Sequence, residues 1–506
     1  MPTIKLNGKD VEVDGKDKLL KICLDKGAFV PHYCWHPGLQ PAGNCRMCLV
    51  KVSNSKKLEV SCMYPVADKL EVTTEGPEVD AGRKAVLEYM LINHPLDCPI
   101  CDKAGECDLQ DYTYKYRQGL SRFEEDKQIK HTKDLGPNIR IWGNRCIVCT
   151  RCVRFCEEVT GTGELCVIER GDRSVVDVFP GIPIDNPLSL NVVDLCPVGA
   201  LIDKNFMYQA RVWFTKRTES VCASCSRGCN VDVTVLDNEI KRLQPRPNVD
   251  VNQYWMCDEG RLNTQYVASG RRLTRATGAA REVAETGRKL RFAGIVSTYS
   301  TIEEMFLFRK LMDALKGGPL GVLTLTRGQA QKFPSGFTIE ADKTPNRAYA
   351  AKLFGEETIA SGIQNVVQEL QAGTIEGLLV MNGIPDLILP ADLVDAAKKA
   401  PFLAVSDLLQ GPLSEAAHVV IPGTAWAEKD GTFMNVDGRL QRIRKAVEPP
   451  VTARPEAEWL QEALVMLGAR AAVTSVEGVL REALPGVDYG KIGHLGVKSN
   501  GTAGHP

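Results

Sequence analysis

The sequence predicts a multidomain chain of mixed α+β and α/β structure, and three observations carry this prediction. Its 506 residues correspond to about three domains of roughly 150 residues each. All 18 cysteines lie between Cys23 and Cys257, and none follows Cys257. After Cys257, strand-like and helical patterns alternate, which is typical of doubly wound α/β structure. A cysteine-rich region is therefore joined to a domain of a different kind.

Composition and charge exclude several classes of protein. Hydrophobic residues make up 44% and charged residues 25% of the chain, which excludes a collagen, a coiled-coil rod or a mostly disordered chain. The net charge is −1, from 62 basic and 63 acidic residues, so no overall basic surface attracts nucleic acid. No uncharged run approaches the roughly 18 residues of a membrane-spanning helix, and the N-terminus has no signal-peptide pattern. We therefore expect a cytoplasmic protein whose closely spaced cysteines are metal ligands rather than disulfides.

Residues 1–76 are predicted to form the first domain. Apolar and polar residues alternate over residues 3–13 around Asn7 and Gly8, a pair that favours a tight hairpin turn. Apolar residues at helical spacing follow, and Gly27 can end that helix. They are Leu19, Leu20, Cys23 and Leu24. Because free cysteine packs like a small hydrophobic residue, we interpret Cys23 as part of the core.

The first set of candidate ligands lies in this domain and has the spacing C-x10-C-x2-C-x13-C. Its members are Cys34, Cys45, Cys48 and Cys62. Four thiolates from one loop and a following strand suit a 2Fe–2S cluster. A zinc ion would accept the same four ligands. The ten-residue first interval on a hairpin and helix resembles a ferredoxin-like β-grasp domain more than a zinc ribbon, so we favour iron and sulfur.

The second set of candidate ligands is predicted in residues 77–116. A helix that begins at Pro77 should end near His94 and Pro95 and place His94 in a loop. The set has the spacing H-x3-C-x2-C-x5-C and consists of His94, Cys98, Cys101 and Cys107. A 4Fe–4S cluster and a zinc site with three cysteines and one histidine both suit this spacing. The motif that follows strengthens the iron–sulfur interpretation.

The third set of candidate ligands is predicted in a ferredoxin-like domain, residues 117–216. It consists of Cys146, Cys149 and Cys152, spaced C-x2-C-x2-C, with a distant Cys196 before a proline. Bacterial ferredoxins hold a 4Fe–4S cluster with this pattern. A second such cluster is not expected, because the positions that would ligate it are Asn186, Ser189 and Val192. Cys156 and Cys166 are therefore predicted to be spare thiols.

The fourth set of candidate ligands is predicted in residues 217–275, with the spacing C-x2-C-x3-C-x27-C. Its members are Cys222, Cys225, Cys229 and Cys257, and a third 4Fe–4S cluster suits this spacing.

Residues 276–485 are predicted to form the α/β domain. Strands are expected at residues 292–297, 320–325, 377–381 and 402–405, and a helix from Ile302 to Lys316. No nucleotide-binding glycine motif follows a strand. Residues 486–506 are rich in glycine and polar residues, and we expect a flexible tail.

In this order, the four sets resemble those of the large iron–sulfur subunit of bacterial NADH:quinone oxidoreductase, respiratory complex I, over nearly the whole chain. The motifs that carry the resemblance are the first set, residues 94–98, residues 145–155, residues 194–201 and the signature at residues 425–439. The signature looks like that family's molybdopterin-oxidoreductase-like domain.

The resemblance implies a 2Fe–2S cluster on the first set, a histidine-ligated 4Fe–4S cluster on the second and all-cysteine 4Fe–4S clusters on the third and fourth. In that family, electrons arrive from the flavin subunit that oxidises NADH and leave towards the quinone-reducing subunits. The implied partners are the flavin/NADH-binding subunit and the quinone-proximal iron–sulfur subunits, and no substrate site is implied on the chain itself. The implied location is the peripheral arm on the cytoplasmic face of the inner membrane, with membrane contact only through the complex.

Two features depart from the wider group of related enzymes. The C-terminal domain is shorter than in many bacterial relatives, and Glu259 stands two residues after Cys257, where active molybdenum enzymes of this type carry a lysine. We therefore expect no molybdopterin. We also expect the Glu259 carboxylate to disfavour electron addition at the fourth cluster by like-charge repulsion, so that this cluster stabilises the fold more than it carries electrons.

Two alternative functions remain open at this point. An iron–sulfur subunit of an NAD-linked hydrogenase or formate dehydrogenase would resemble the first 200 residues. An iron hydrogenase would need further cysteines for its active-site cluster, and none follows Cys257. The other alternative is a zinc-stapled scaffold, which would be colourless where an iron–sulfur protein is brown.

Overall fold

The computed structural model describes residues 2–117, 119–278, 280–315, 317–385, 387–470 and 474–499. It contains two compact units. The first unit comprises Met1–Thr215 with Phe333–Gly336, and the second comprises Lys216–Lys332 with Phe337–Pro506. Within the described ranges, no helix is long and apolar enough to cross a membrane.

The first domain of the first unit is a mixed five-stranded sheet covered by one helix. Its strands lie in the order β2-β1-β5-β3-β4, and only β1 and β5 pair in parallel. The elements are β1 (Thr3–Leu6), β2 (Lys9–Glu12), α1 (Leu19–Asp25), β3 (Leu49–Val52), β4 (Glu59–Val60) and β5 (Glu71–Thr73). The predicted turn at Asn7 and Gly8 is confirmed, with positive φ at both residues. Cys23 is fully buried in the core between sheet and helix, as predicted.

The next segment is helical and carries the second set between two helices, α2 (Pro77–Leu91) and α3 (Asp108–Lys115). Pro77 is the first residue of α2, as predicted, because its fixed φ suits the first helical turn and its missing N–H has no partner there. The helix ends at Leu91, slightly before the predicted end, and the His94 amide closes the following turn onto the Leu91 carbonyl at 3.2 Å.

The third region of the first unit has a three-stranded sheet, β10-β7-β6, and a separate hairpin of β8 and β9. Its elements are β6 (Thr132–Asp134), β7 (Ile139–Trp142), α4 (Arg151–Arg154), β8 (Leu165–Ile168), β9 (Val175–Val178), α5 (Asn191–Leu195) and β10 (Leu201–Asp203). Helix α4 continues into one turn of π-helix, Phe155–Val159. The sheet and the two short helices place residues 146–152 beside residues 196–201.

The second unit begins with a three-stranded antiparallel sheet of β11 (Lys216–Val221), β12 (Asn230–Leu236) and β13 (Glu239–Pro245). A short helix, α6 (Asp258–Leu262), follows Cys257.

The α/β domain that follows contains a five-stranded parallel sheet in the order β15-β14-β18-β19-β20. Counted along the chain, this is the order 2-1-3-4-5 of doubly wound folds, which confirms the predicted class. Its strands are β14 (Phe292–Ser297), β15 (Leu320–Leu323), β18 (Gly377–Met381), β19 (Phe402–Asp407) and β20 (Val419–Pro422). Smaller strands outside this sheet include β16 (Gln331–Lys332), β17 (Thr338–Ile339), β21 (Gly431–Met434) and β22 (Arg439–Ile443).

Helices pack around this sheet on an apolar core. They are α7 (Ala280–Gly287), α8 (Ile302–Ala314), α9 (Arg347–Phe354), α10 (Glu356–Gln371), α11 (Ala391–Lys399), α12 (Pro412–Ala416), α13 (Glu456–Met466) and α14 (Val476–Ala483). All four predicted strands are present, and the predicted helix from Ile302 ends at Ala314; Lys316 lies outside the described residues.

The prediction of a flexible tail from residue 486 is wrong for much of that segment. Helix α15 (Tyr489–Ile492) and strand β23 (Val497–Lys498) form there, and β23 pairs with β22. The carbonyls of His494 and Leu495 accept hydrogen bonds from Arg246 and Asn248, each at 2.9 Å. The composition of the segment suggested a loose chain, but these contacts are made to residues far away in the sequence. Residues 500–506 lie outside the described residues.

Candidate metal centres

The first ligand set converges in the β-grasp domain, where Cys34, Cys45, Cys48 and Cys62 are all buried. Hydrogen bonds between thiols join Cys34 to Cys45 and to Cys62, and Cys48 to Cys62. These bonds lower the pKa of Cys34 and Cys48 and raise the pKa of their partners. The loop thus brings all four predicted ligands together.

The backbone of this loop also turns amide groups towards sulfur. The Cys34 amide donates to the Cys45 sulfur at 3.4 Å, and the Met47 amide donates to Cys45 as well. Arg46, between two ligands, has a φ of +58°, which non-glycine residues rarely adopt. Amide donors to ligand sulfur are a general feature of iron–sulfur sites.

The second ligand set is partly at the surface. Cys101 and Cys107 are buried, whereas Cys98 is exposed. The Lys103 amide donates to the Cys101 sulfur, and amides at the start of α3 donate to Cys107. Burial raises the pKa of Cys107 to about 11.

His94, the predicted fourth member of this set, has an unusual environment. Its Nδ1 atom is buried and has no hydrogen-bond partner in the part of the chain that the structure describes. Burial, followed by the nearby positive charge of Arg145, lowers the pKa of His94 to about 4. A neutral imidazole with an unpartnered ring nitrogen is what a metal ligand requires.

The third ligand set surrounds a cavity. Cys146, Cys149, Cys152 and Cys196 all line it, and the other walls are mainly apolar residues. They include Ile141, Ile147, Val176, Val198 and Leu201. Four thiols around one space with apolar walls fit a cluster with four cysteine ligands.

The loop that carries the third set is held in an uncommon backbone conformation. Val148 and Thr150 have φ values of +50° and +61°, which are costly for β-branched residues. The Val148 amide donates to the Cys146 sulfur at 3.3 Å, and the Arg151 amide donates to Cys149. The strained turns therefore place amide donors beside the ligand sulfurs.

The third set adjoins both of the other sets in the first unit. Cys34 lies close enough to Cys149 to raise the pKa of that thiol. On the other side, a Cβ atom added to Gly199 would lie 2.1 Å from the Cys101 sulfur, so only glycine permits this approach. The Asp108 amide also donates to the Pro197 carbonyl at 3.2 Å.

The fourth ligand set is deeply buried at the end of β11 and the start of α6. Cys222, Cys225, Cys229 and Cys257 lie near enough to raise one another's pKa. The Gly260 amide donates to the Cys257 sulfur at 3.3 Å. A Cβ atom on Gly260 would come within 3.0 Å of the Cys222 sulfur, so the chain closes tightly around these thiols.

The Glu259 carboxylate, which was expected to repel added electrons at the fourth set, has a positively charged partner that the sequence analysis did not include. Lys343 lies 2.6 Å from the Glu259 carboxylate and is largely buried. Burial raises the pKa of Cys222 and of Cys225; the positive charge of Lys343 opposes this rise at both thiols, whereas Glu259 adds to it at Cys222. Sequence reasoning missed this pair because its members are 84 positions apart.

The cysteines outside the four sets are Cys23, Cys156 and Cys166; Cys23 lies near Cys48, and Cys156 lies near Cys152. Cys156 is buried in the π-helical turn, and burial raises its pKa to about 12. Cys166 lies on β8, and its sulfur is 3.6 Å from the Asp177 carbonyl, to which it donates. Among the described residues, no three His, Cys, Asp or Glu side chains are placed to hold a single metal ion.

Several residues around the sets were not predicted as functional. Arg145, Arg151 and Arg154 alternate with the cysteines of the third set, and Asp97 precedes Cys98. Three arginines inside one ligand motif were a signal that could have been used.

Family models match five successive parts of the chain. They are described as a 2Fe-2S iron-sulfur cluster binding domain (residues 1–77), the NADH-ubiquinone oxidoreductase-G iron-sulfur binding region (83–122), the NADH-quinone oxidoreductase subunit 3 ferredoxin-like domain (136–202), the molybdopterin oxidoreductase Fe4S4 domain (215–269) and molybdopterin oxidoreductase (346–462). Each of the four ligand sets falls within one of the first four matches. The chain therefore carries 2Fe–2S-binding and 4Fe–4S-binding domains followed by a molybdopterin-oxidoreductase-like domain, and it belongs to the class of iron–sulfur proteins.

Three similar proteins are all subunits of NADH-quinone or NADH-ubiquinone oxidoreductases. An NADH-quinone oxidoreductase subunit from Rickettsia felis is 36% identical over 329 residues, which are 62% of this chain and 49% of the relative. The NADH-ubiquinone oxidoreductase 75 kDa subunit of Reclinomonas americana is 38% identical over 62% of this chain and 48% of its own length. The mitochondrial 78 kDa subunit of Neurospora crassa is 41% identical over 54% of this chain and 37% of its own length. The chain is similar to these subunits, and the match spans about half the length of the first two relatives and 37% of the third.

One solved structure is also similar over part of the chain. It is a chain of an NAD+-reducing NiFe-hydrogenase in the H2-reduced state, 27% identical, with a TM-score of 0.39. The match covers 42% of this chain and 91% of that chain.

Proposed function

We propose that this chain is the electron-transferring iron–sulfur subunit of an NADH:quinone oxidoreductase. It would pass electrons from the NADH/flavin subunit towards the quinone-reducing subunits. The observation that carries this proposal is that the loop of the third ligand set contacts the loop of the first set through hydrogen bonds and the second set through the close approach of Gly199 to Cys101, all inside one unit. The names of the relatives support the same function.

The ligand assignments are part of the proposal. Cys34, Cys45, Cys48 and Cys62 would hold a 2Fe–2S cluster. Three 4Fe–4S clusters would be held by His94 with Cys98, Cys101 and Cys107, by Cys146, Cys149, Cys152 and Cys196, and by Cys222, Cys225, Cys229 and Cys257. Such clusters supply one-electron chemistry, with potentials set by ligands, hydrogen bonds and exposure. The converging thiols, the amide donors and the unpartnered His94 nitrogen fit these assignments.

The arrangement of the sets supports an order for the path. The first set adjoins the third, and the third adjoins the second. The cluster on the third set would therefore receive electrons from one neighbouring cluster and pass them to the other. The second set is the one with an exposed ligand, Cys98. Its neighbours Leu96 and Ile100 are exposed apolar residues, 93% and 52% accessible, which suit contact with a partner subunit.

The partners proposed are the flavin/NADH-binding subunit and the quinone-proximal iron–sulfur subunits. The chain would sit in the peripheral arm, on the cytoplasmic face of the inner membrane, and would meet the membrane only through the complex.

A molybdopterin is no part of this proposal, because polar groups near the carboxyl end of β14 are bonded to one another. Asn346 donates to the Ser300 carbonyl at 3.0 Å and accepts from the Met434 amide at 2.8 Å. Glu303 accepts from both the amide and the hydroxyl of Thr432, at 3.0 and 2.8 Å. This edge is where ligands of doubly wound folds bind, and Asn346 and Glu303 are already satisfied within the domain. These contacts support the expectation that no pterin binds here.

The fourth set would accordingly have a mainly structural role. It is the only ligand set among the residues that the structure describes in the second unit, and its four thiols join β11, β12 and α6.

Iron analysis of the full chain, purified without oxygen, tests the proposal. One 2Fe–2S and three 4Fe–4S clusters give about fourteen irons per chain, and low-temperature EPR should resolve one 2Fe–2S signal among the cluster signals. Saturation near ten irons would mean that one 4Fe–4S set is empty. Stoichiometric zinc in place of iron would overturn the electron-transfer function.

A second measurement separates this function from that of a hydrogenase subunit. Adding the chain to membranes that lack their own large iron–sulfur subunit should restore NADH-to-quinone turnover. Restoration of hydrogen-dependent NAD reduction instead would favour the hydrogenase alternative.

His94 offers a specific test of the second set. Imidazole is neutral where thiolate is anionic, so a histidine-ligated cluster should have a higher potential than an all-cysteine cluster. His94→Cys is expected to lower the midpoint potential of this centre by on the order of 100 mV, as measured by EPR redox titration. Cys156→Ala, which changes a buried thiol outside the proposed sets, is the control. An unchanged signal and potential in His94→Ala would contradict the assignment.

A further inference from the structure

Three buried arginines occupy the loop of the third ligand set. Arg145, Arg151 and Arg154 are 2%, 8% and 9% exposed, which is rare for arginine. Their backbones belong to the third set, but each side chain reaches a residue of another ligand loop.

Arg151 joins the first and third sets. Its Nη2 atom donates to the Trp35 carbonyl at 2.6 Å, and its Nη1 atom donates to the Leu195 carbonyl at 3.1 Å. Trp35 directly follows Cys34, and Leu195 directly precedes Cys196. One guanidinium therefore fixes the backbone beside a ligand of each set.

Arg154 makes a second connection to the first set. Its two terminal nitrogens donate to the carbonyls of Cys34 and Gln40. Its Nε atom lies 3.3 Å from the Thr150 hydroxyl, within the third-set loop. The Gln40 amide donates to Glu158 at 2.8 Å, so both the carbonyl and the amide of Gln40 are bonded to the segment that carries the third set.

Arg145 makes the corresponding connection to the second set. Its Nε atom donates to the Asp97 carboxylate at 2.9 Å, and its guanidinium stacks 4.2 Å from the Trp142 ring centre. Asp97 directly precedes Cys98, as Arg145 directly precedes Cys146. Burial raises the pKa of Cys101, and the nearby positive charge of Arg145 opposes that rise.

The chemistry of arginine explains why this residue type recurs here. The planar guanidinium groups of Arg151 and Arg154 each donate to two carbonyls at fixed angles. That of Arg145 stacks on Trp142 while it donates to Asp97. The single ammonium of lysine reproduces neither arrangement. Loops without regular structure otherwise move relative to one another. The three side chains replace the missing sheet or helix contacts between the ligand loops.

We propose that Arg145, Arg151 and Arg154 are positioning residues that hold the first and second metal centres at fixed separations from the third. Arg151 and Arg154 set the first-to-third separation, and Arg145 sets the second-to-third separation. This inference rests on the proposed function, because it requires metal centres on these three sets.

The test compares Arg151→Lys, Arg154→Lys and Arg145→Lys in the full chain, purified without oxygen. Iron content is measured first, and then the magnetic interaction between reduced centres by EPR relaxation. The first two variants should retain wild-type iron and lose most of the first-to-third interaction. Arg145→Lys should instead weaken the second-to-third interaction. A residue needed only for folding would lower iron or stability without this division.

Arg211→Lys is the matched control. Arg211 also donates to two carbonyls, those of Cys101 and Pro99, but both belong to the second set. This variant should leave the first-to-third interaction unchanged.

A milder variant covers the case in which the lysine variants do not fold. Asn44 is exposed, and its amide nitrogen lies 3.4 Å from both the Val148 carbonyl and the Thr150 hydroxyl. Asn44→Ala should weaken the first-to-third interaction slightly at full iron content.

The outcomes separate this inference from the function on which it rests. Wild-type chain without iron would overturn the proposed function. Wild-type chain with full iron but no first-to-third interaction, or variants that keep the wild-type interaction at full iron, would overturn the positioning role. Selective loss of the third set's iron in the variants would also overturn it, because the arginines would then hold that cluster rather than the spacing.

Discussion

Arg151 and Arg154 of the first unit differ from the buried cations of the α/β domain in the groups that compensate their charge, whereas Arg145 of the first unit pairs with the Asp97 carboxylate. In the first unit, Arg151 and Arg154 donate to backbone carbonyls and one hydroxyl. In the part of the chain that the structure describes, neither has a carboxylate partner within salt-bridge distance. In the second unit, by contrast, Arg272 donates to both oxygens of Glu428 at 2.8 Å. Lys429 lies 2.7 Å from Glu304 and 2.8 Å from Glu456.

The difference indicates which anions compensate the buried cations in each unit. A buried cation is costly unless an anion or several acceptors compensate it. Burial raises the pKa of both the Cys149 thiol and the Asp108 carboxyl, and the nearby charge of Arg151 opposes that rise in each, so the anions near Arg151 include a ligand thiolate. The first unit should therefore depend on metal-bound thiolates, whereas the α/β domain of the second unit compensates its charges internally.

Iron removal should have the largest effect, and it should destabilise the ligand loops of the first unit more than the parallel sheet of the second. Without metal, the ligand thiols can bind protons, and the buried arginines lose their compensating charge at a cost of about 3–5 kcal/mol. Amide hydrogen exchange of the full chain, before and after anaerobic chelation, should show loss of protection in residues 30–48 and 145–156.

The parallel sheet of the second unit is the internal control for this experiment. Residues 292–297 and 377–381 should keep most of their protection, because they pack in an apolar core. Equal loss of protection in both units would contradict the claim that only the first unit depends on metal-bound thiolates for charge compensation.

Substitution of one ligand in each unit should give the next largest effect. Cys149→Ala and Cys225→Ala should each remove about four irons. Cys149→Ala should also abolish NADH-to-quinone turnover in assembled complex, because the cluster on the third set would pass electrons between its two neighbouring clusters. Cys225→Ala should reduce assembly or thermal stability and leave turnover per assembled complex nearly intact. Loss of turnover in fully assembled Cys225→Ala complex would mean that the fourth centre carries electrons.

Local signals in the sequence predicted much of this architecture. The alternation around Asn7 and Gly8 specifies a hairpin because its turn and strands are neighbours in sequence, and Pro77 marks a helix start for the same reason. The buried strand at 377–381 is evident from its continuous apolar run. The cysteine spacings grouped ligands that the structure brings together in the first, third and fourth sets.

Contacts between distant segments could not be predicted in this way. The Arg145–Asp97 and Lys343–Glu259 pairs join residues 48 and 84 positions apart, and no local pattern links them. The last segment was predicted to be loose because of its glycines, but β23 pairs with β22, which lies far before it in the chain. The composition of a segment reflects its own conformational preferences, but here pairing with β22 makes the segment a strand.

Two glycines allow a sharper comparison of how tightly the ligand sets are enclosed. A Cβ atom on Gly199 would meet the Cys101 sulfur at 2.1 Å, and one on Gly260 would meet the Cys222 sulfur at 3.0 Å. Gly199→Ala should therefore cost about 1–3 kcal/mol through overpacking and disturb the EPR signal of the second centre. Gly260→Ala should have a smaller effect on the fourth centre. The reverse order of effects, measured by thermal unfolding and EPR of anaerobic protein, would show that the second set has more room than its contacts indicate.

The smallest expected effect concerns the charge pair at the fourth set. Lys343→Met would leave the Glu259 carboxylate uncompensated near Cys222 and lower the midpoint potential of that centre. Because the Glu259 side chain is 44% exposed, solvent screening should limit the change to at most about 1 kcal/mol, or roughly 40 mV for one electron. Glu259→Gln should raise the potential by less than this, and the double variant should lie close to wild type. EPR redox titration of the three variants measures these shifts, with Lys332→Met as an exposed control. A large fall in potential with Lys343→Met that persisted in the double variant would mean that Lys343 acts on the cluster directly rather than by compensating Glu259.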